Sequence, residues 1–283
     1  MSLDNKTSID QTNTNQTMSI IKRYLNVLGD TAEQYWLPVW TFLVFAFLYA
    51  PIFILILFSF EKGTFSVLPW NGFTLNWYQE MVTDRRLIQA TFNSLQIGVV
   101  VTAGATVLGT LGAIALVRGS FRRKGLFRAI IIAPMTIPGL ILGIALLIWF
   151  NVLGFSRSLL TVMIGQLVFV TPFVLITVSA RLRGFDPELE EAARDLGATK
   201  WQTYRRVTLP LLMPGIISGA LFAFTLSFDD FLIAFFTSGV ENTLPIFIWS
   251  KIQHGTDPVV NAISTMVLLF SISIVVIAEL IRR

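Results

Sequence analysis

Asp229 and Asp230 stand side by side in the run Ser227-Phe228-Asp229-Asp230-Phe231-Leu232, two carboxylates among apolar neighbours. Carboxylates and aromatic faces are the side chains that replace water around an ammonium group. Holding such an acid at the centre of a bilayer costs about 2.5–3.5 kcal/mol on insertion scales. The pair therefore reads in one of two ways. It lines a substrate path or outer gate for a cation, with Ser227 and Phe228 beside it, or it ends a helix in the headgroup zone. Neighbouring side chains on a helix diverge by about 100°, so one of the two at most faces a central path. Lys251 offers either acid a partner. Other chemistry has little to work with. There is no cysteine and a single histidine, His254, which excludes thiolate and His-cluster metal sites and leaves no catalytic residue to assign.

A second constellation is Glu190-Glu191-Ala192-Ala193-Arg194-Asp195-Leu196-Gly197-Ala198-Thr199, where four charges fall within six residues of a chain that is 13% charged and 54% hydrophobic. Asp186 and Pro187 supply a helix start, and Glu188, Glu190 and Glu191 suit the positive end of its dipole. Leu189, Ala192, Ala193 and Leu196 recur at i, i+3, i+4 and i+7, which makes one narrow apolar stripe with small residues at its middle. Gly197 stops this helix, Thr199 and Gln202 form a capping box for a second, and Pro210 marks the entry to the next apolar run. The stripe is suited to docking another protein or to packing on its own bundle.

The elements around these two constellations are membrane spans. A mean hydropathy of +0.70 over 283 residues is too apolar for a soluble domain. Six long, mostly apolar stretches lie between charged residues: 34–60, 87–117, 129–156, 158–180, 207–228 and 258–278. Each exceeds the roughly 20 residues that cross 30 Å of hydrocarbon. The fold class is thus all-α, with six transmembrane helices. An even count puts both termini on one side. With the termini in the cytoplasm, 16 of the 21 Lys and Arg lie inside, and Lys62, Arg85, Arg86, Arg157 and Lys251 lie outside. The net charge of +4 follows this topology and forms no patch for nucleic acid. On the same count Asp229 falls near the outer face, roughly 27 Å from Leu211.

Residues 1–33 form a polar, disordered tail and lead-in, in which Met18 offers an alternative start and the Asn5 and Asn15 glycosylation patterns are accidental. Residues 34–283 form the six-helix transmembrane domain, with the cytoplasmic loop at 181–210. Pro134, Pro138, Gly139 and Pro172 are expected to bend the third and fourth spans. Gly139/Gly143 and Gly215/Gly219 allow close helix approach, within the chain or to a partner. Trp70, Phe73, Trp77 and Tyr78 read as interfacial anchors. Glu279, Arg282 and Arg283 form a structural charge cluster, and His254 is a surface residue.

Glu191-Ala192-Ala193, Gly197 four positions later, and Val207-Thr208-Leu209-Pro210 together resemble the cytoplasmic loop of ABC importer permeases, with Val207 where isoleucine is usual. The runs "PMTIPGLILGIALL", "LSFDDFLIAFFTSG" and "LPIFIWSKIQHGTDPVVNAIST" are similar to those of spermidine/putrescine permeases, of the second-permease type. The resemblance implies a type I ABC importer bundle whose coupling helix, carrying Leu189, Glu191, Ala192, Ala193, Leu196 and Gly197, inserts into an ATPase subunit. It implies a second, related permease, two ATPase subunits and a periplasmic polyamine-binding protein, in the inner membrane. No P-loop occurs, so ATP and Mg belong to the separate ATPase and this chain binds no cofactor. The alternatives are the same machinery with another small solute, or a channel or carrier that works without an ATPase. Uptake by the chain alone would favour the latter.

Overall fold

The computed structural model describes residues 36–63, 70–253 and 258–282. The tail, Met18, Asn5, Asn15 and His254 lie outside the described residues, as do the side chains of Glu279, Arg282 and Arg283. The chain divides into two compact units at residue 58. Helix α1 (Trp36–Phe58) belongs to the first and is long and apolar enough to cross a membrane. Aromatic contacts run along it, with Trp36 against Trp40 and Phe45 stacked on Tyr49.

The second unit is built of helices joined by loops, with one isolated bridge between Glu61 and Phe73 among its described residues. Its helices are α2 (Asn76–Thr83), α3 (Arg85–Arg118), α4 (Lys124–Thr136), α5 (Gly139–Val152), α6 (Leu159–Arg183), α7 (Glu188–Asp195), α8 (Lys200–Thr203), α9 (Leu209–Phe228), α10 (Leu232–Thr237), α11 (Leu244–Gln253) and α12 (Pro258–Arg282). A π-helical turn, Tyr204–Thr208, joins α8 to α9 without a break. The core is the packing of α3, α6 and α9 on one another, with Ile97, Val101, Val170, Val174 and Val178 fully buried. Close approach depends on glycine. A Cβ on Gly109 of α3 would lie 2.7 Å from that of Val174, and one on Gly215 of α9 would lie 2.8 Å from that of Arg181. Gly139 and Gly143 meet Leu232 and Phe236 of α10 in the same way. These glycine pairs therefore serve packing within the chain.

The described residues bear out the apolar helices but not the full count of six. Among the described residues four helices are long and apolar enough to cross a membrane, or five if α4 and α5 are taken together. The expected third span is broken, with α4 and α5 meeting at 107°. The cause is Pro138, which offers no N–H and forces its predecessor out of helical conformation. Ile137 is accordingly extended, at φ −82° and ψ 131°. Pro172, by contrast, is carried within an uninterrupted α6. Residues 258–273 of α12 stand as a shorter apolar helix.

Helix α3 is 34 residues long, about 51 Å at 1.5 Å per residue, so it outreaches the hydrocarbon by roughly 20 Å. Asp84 caps its start, accepting from the backbone N–H of Arg86 at 2.8 Å and of Leu87 at 3.3 Å. The excess length carries Arg118, its last residue, out to the loop that holds α7. Trp77 and Tyr78 tie α2 to Glu61 and Ser59. The Trp77 indole donates to the Glu61 carbonyl at 2.7 Å, and the Tyr78 hydroxyl bonds that of Ser59 at 2.7 Å.

Candidate functional site

Helix α9 ends at Phe228, one residue before the paired acids, so the two do not lie on a common helix face. Asp229 leaves the helix at φ −92° and ψ 0°, its N–H still bonded to the Thr225 carbonyl at 3.1 Å. Asp230 turns inward. Its Oδ2 accepts from the Ala234 N–H at 3.0 Å and its Oδ1 from the Ile233 N–H at 3.5 Å, both in the first turn of α10. A third donor comes from α6, where Gln166 Nε2 approaches Oδ2 at 3.0 Å. The same amide accepts from the Ser227 hydroxyl at 2.5 Å. Ser227, Gln166 and Asp230 thus form one chain of hydrogen bonds across α9, α6 and the start of α10.

Asp229 stands apart from that chain. It is exposed, and its carboxylate has no hydrogen-bond or ion-pair partner among the described residues. The expected pairing with Lys251 is not made. The Lys251 ammonium lies 5.8 Å from the centre of the Phe247 ring. Phe228 is separate again, buried between Phe224 and Phe270 at 5.8 and 5.9 Å and lining an apolar cavity of about 420 Å³ with Leu87, Phe92 and Ile263. Sequence reasoning brought Ser227, Phe228 and the two acids together and missed Gln166. The available signal was a lone amide in the apolar run Met163-Ile164-Gly165-Gln166-Leu167-Val168.

At the other end of α9 the loop folds as its capping residues dictate. Asp186 accepts from the Glu188 N–H at 2.9 Å and so starts α7. Gly197 sits at φ +87°, where a side chain would be strained, and α7 closes with Gly197 N–H on the Arg194 carbonyl and Ala198 N–H on that of Ala193. The Thr199–Gln202 capping box opens α8 with both of its hydrogen bonds present, at 2.9 and 3.3 Å. Three of the four residues of the apolar stripe are exposed, and Ala193 is half-buried. Leu189 is 49% exposed and Leu196 90%, Glu191 and Ala192 are exposed, and Trp201 beyond them is exposed too. Space around Gly197 is open for at least 4 Å where a Cβ would be.

What fixes this helix is the flank that carries Glu190, beside the half-buried Ala193. Glu190 Oε1 accepts from the Thr208 hydroxyl at 2.8 Å and lies 3.6 Å from Arg118 Nη2. The Arg118 guanidinium covers the Phe185 ring at 5.4 Å. One carboxylate therefore joins α7 to the end of α3 and to the π turn that leads into α9.

A broken span, a long core helix and an exposed helical hook define a multi-span helical membrane protein. Residues 105–283 match the family described as the binding-protein-dependent transport system inner membrane component, and the chain belongs to that family. It is similar to the spermidine/putrescine transport system permease protein PotC of Haemophilus influenzae, with 39% identity over 86% of this chain and 94% of that protein. The putrescine transport system permease protein PotI of Escherichia coli K12 is 40% identical over 82% and 85% of the two chains. Among solved structures, a bacterial ABC transporter that imports the acidic polysaccharide alginate matches 90% of this chain and 97% of its own at a TM-score of 0.70 and 18% identity. The MetNI methionine ABC transporter in an inward-facing conformation matches 69% of this chain and 94% of its own at a TM-score of 0.61 and 20% identity. The chain is thus a permease subunit of an ABC transport system and not itself an enzyme; ATP hydrolysis lies in a separate subunit.

Proposed function

We propose that this chain is one of two permease subunits in an ATP-driven importer of polyamines, spermidine or putrescine, across the inner membrane. The observation that carries the cargo assignment is the similarity to spermidine and putrescine permeases over more than four-fifths of the chain. The exposed, unpaired carboxylate of Asp229 fits a cargo made of ammonium groups and repels an anion. In this reading the chain crosses the membrane six times, with the α4–α5 pair as one broken span, α12 as the last and both termini cytoplasmic. The six apolar stretches support six spans, and the Lys and Arg distribution supports termini inside.

The hook α7 is the coupling helix. Its stripe of Leu189, Ala192, Ala193 and Leu196, with Glu191 and the turn at Gly197, docks into a cytoplasmic ATPase subunit, two of which bind ATP and Mg for the assembly. A related second permease completes the path, and a periplasmic binding protein delivers the polyamine beside Asp229. The exposure of Leu196 supports this, because a loop that served its own bundle would bury that residue. Reconstitution of the complete importer tests the reading. Spermidine uptake should require ATP inside and the binding protein outside, and uptake that excludes polyamines in favour of another solute would overturn the cargo assignment.

A further inference from the structure

The hydrogen-bond chain at the end of α9 treats the two aspartates differently, and Gln166 is the residue that makes the difference. Its side chain is 1% exposed, in the first half of α6. Both ends of its amide are used: the oxygen on the Ser227 hydroxyl, the nitrogen on Asp230 Oδ2. Ser227 and Asp230 flank Asp229 in the chain, so one buried amide grips the backbone turn on both sides of the exposed acid. An apolar side chain at 166 would leave the Ser227 hydroxyl without this acceptor and Asp230 without this donor. A glutamate there would set carboxylate against carboxylate. A neutral amide with a donor and an acceptor meets both demands.

We propose that Gln166 is a positioning residue that divides the pair. It fastens Ser227 and Asp230 into the junction of α6, α9 and α10, and leaves Asp229 as the carboxylate that meets a cationic cargo. Asp230 receives three donors within 3.5 Å and is a scaffold group. Asp229 receives none among the described residues, and its direction is set by the two tethered neighbours. The inference rests on the reading that an ammonium cargo passes this pair.

The test uses the complete importer in proteoliposomes, with spermidine as probe. Q166M keeps the length of the side chain and removes both hydrogen bonds. S227A removes one of them by a change small enough to leave packing intact. For Q166M the half-saturating spermidine concentration should rise about tenfold, while the maximal rate and the ATP hydrolysis seen without cargo stay within about twofold of the wild type. S227A should raise half-saturation severalfold, and the double variant should be no worse than Q166M alone, because both act through one network. Unchanged half-saturation in S227A and Q166M would overturn the assignment. So would a parallel fall in maximal rate, cargo-free hydrolysis and subunit co-purification in Q166M with S227A unaffected, since that is the mark of packing alone. Asp229→Asn separates the two levels. If it transports like the wild type, the path reading itself fails; if it raises half-saturation while Q166M does not, only the role of Gln166 falls.

Discussion

A carboxylate that already accepts three hydrogen bonds has little to offer a passing cation, and one that accepts none has much. Asp230 and Asp229 differ in this way although they are adjacent and chemically identical. Replacing Asp229 by Asn removes the charge without changing shape, so uptake at low spermidine should fall about tenfold or more, which corresponds to roughly 1.4 kcal/mol of lost attraction. Initial-rate uptake across a range of spermidine concentrations reads this directly. The residue types were legible in the sequence: two acids in an apolar setting, with Ser227 beside them. Their division was not. The helical 100° rule assumed that α9 continues through both acids, whereas it ends at Phe228. What then decides each orientation is an amide 64 residues away on another helix, a contact that no local spacing encodes. Phe228 was grouped with the acids by proximity along the chain, and packing sends it into the apolar cluster with Leu87 and Ile263 instead.

At the scale of elements, α7 is held by one face and free on the other. Leu196→Asp places a charge on the free face without touching the bundle. It should abolish co-purification of the ATPase subunit while leaving the permease itself folded, as judged by size-exclusion chromatography and thermal unfolding. The held face is the Glu190 junction with Thr208 and Arg118. Arg118→Met should preserve ATPase binding yet lower spermidine uptake per ATP hydrolysed severalfold, because it frees α7 from the end of α3; paired uptake and phosphate-release assays give that ratio. The capping box, the Asp186 start and the Gly197 stop were all readable from residue types, since each depends on neighbours within a few positions. The Arg118 link was not readable, as it depends on how far α3 extends past the membrane. The prolines at 134 and 138 pointed to a bend in the third span. Its size, 107°, reflects a complete break at Ile137, which a proline count does not distinguish from a kink.

For the molecule as a whole, α3, α6 and α9 form the body that joins the two functional ends. Asp229 lies just past one end of α9, and the π turn Tyr204–Thr208 and the α7 hook lie at the other. Tight packing lets such a body move as a unit. Gly109→Val would force side-chain atoms against Val174 and the backbone of Leu175, and should lower thermal stability by about 1–3 kcal/mol with loss of uptake. The helical class and most of the apolar segments were legible because hydropathy reports them directly. The inward use of the glycine pairs was not, because Gly-x-x-x-Gly spacing serves internal and intersubunit contacts equally. The central claim is that this chain moves polyamine only when its hook is driven by an ATPase. Labelled spermidine uptake should therefore be measured in proteoliposomes holding the permease pair with and without the ATPase subunits, ATP being inside and the loaded binding protein outside. The account predicts uptake with the ATPase and background without it. Spermidine flux through the permeases alone, down its gradient and indifferent to ATP, would contradict it.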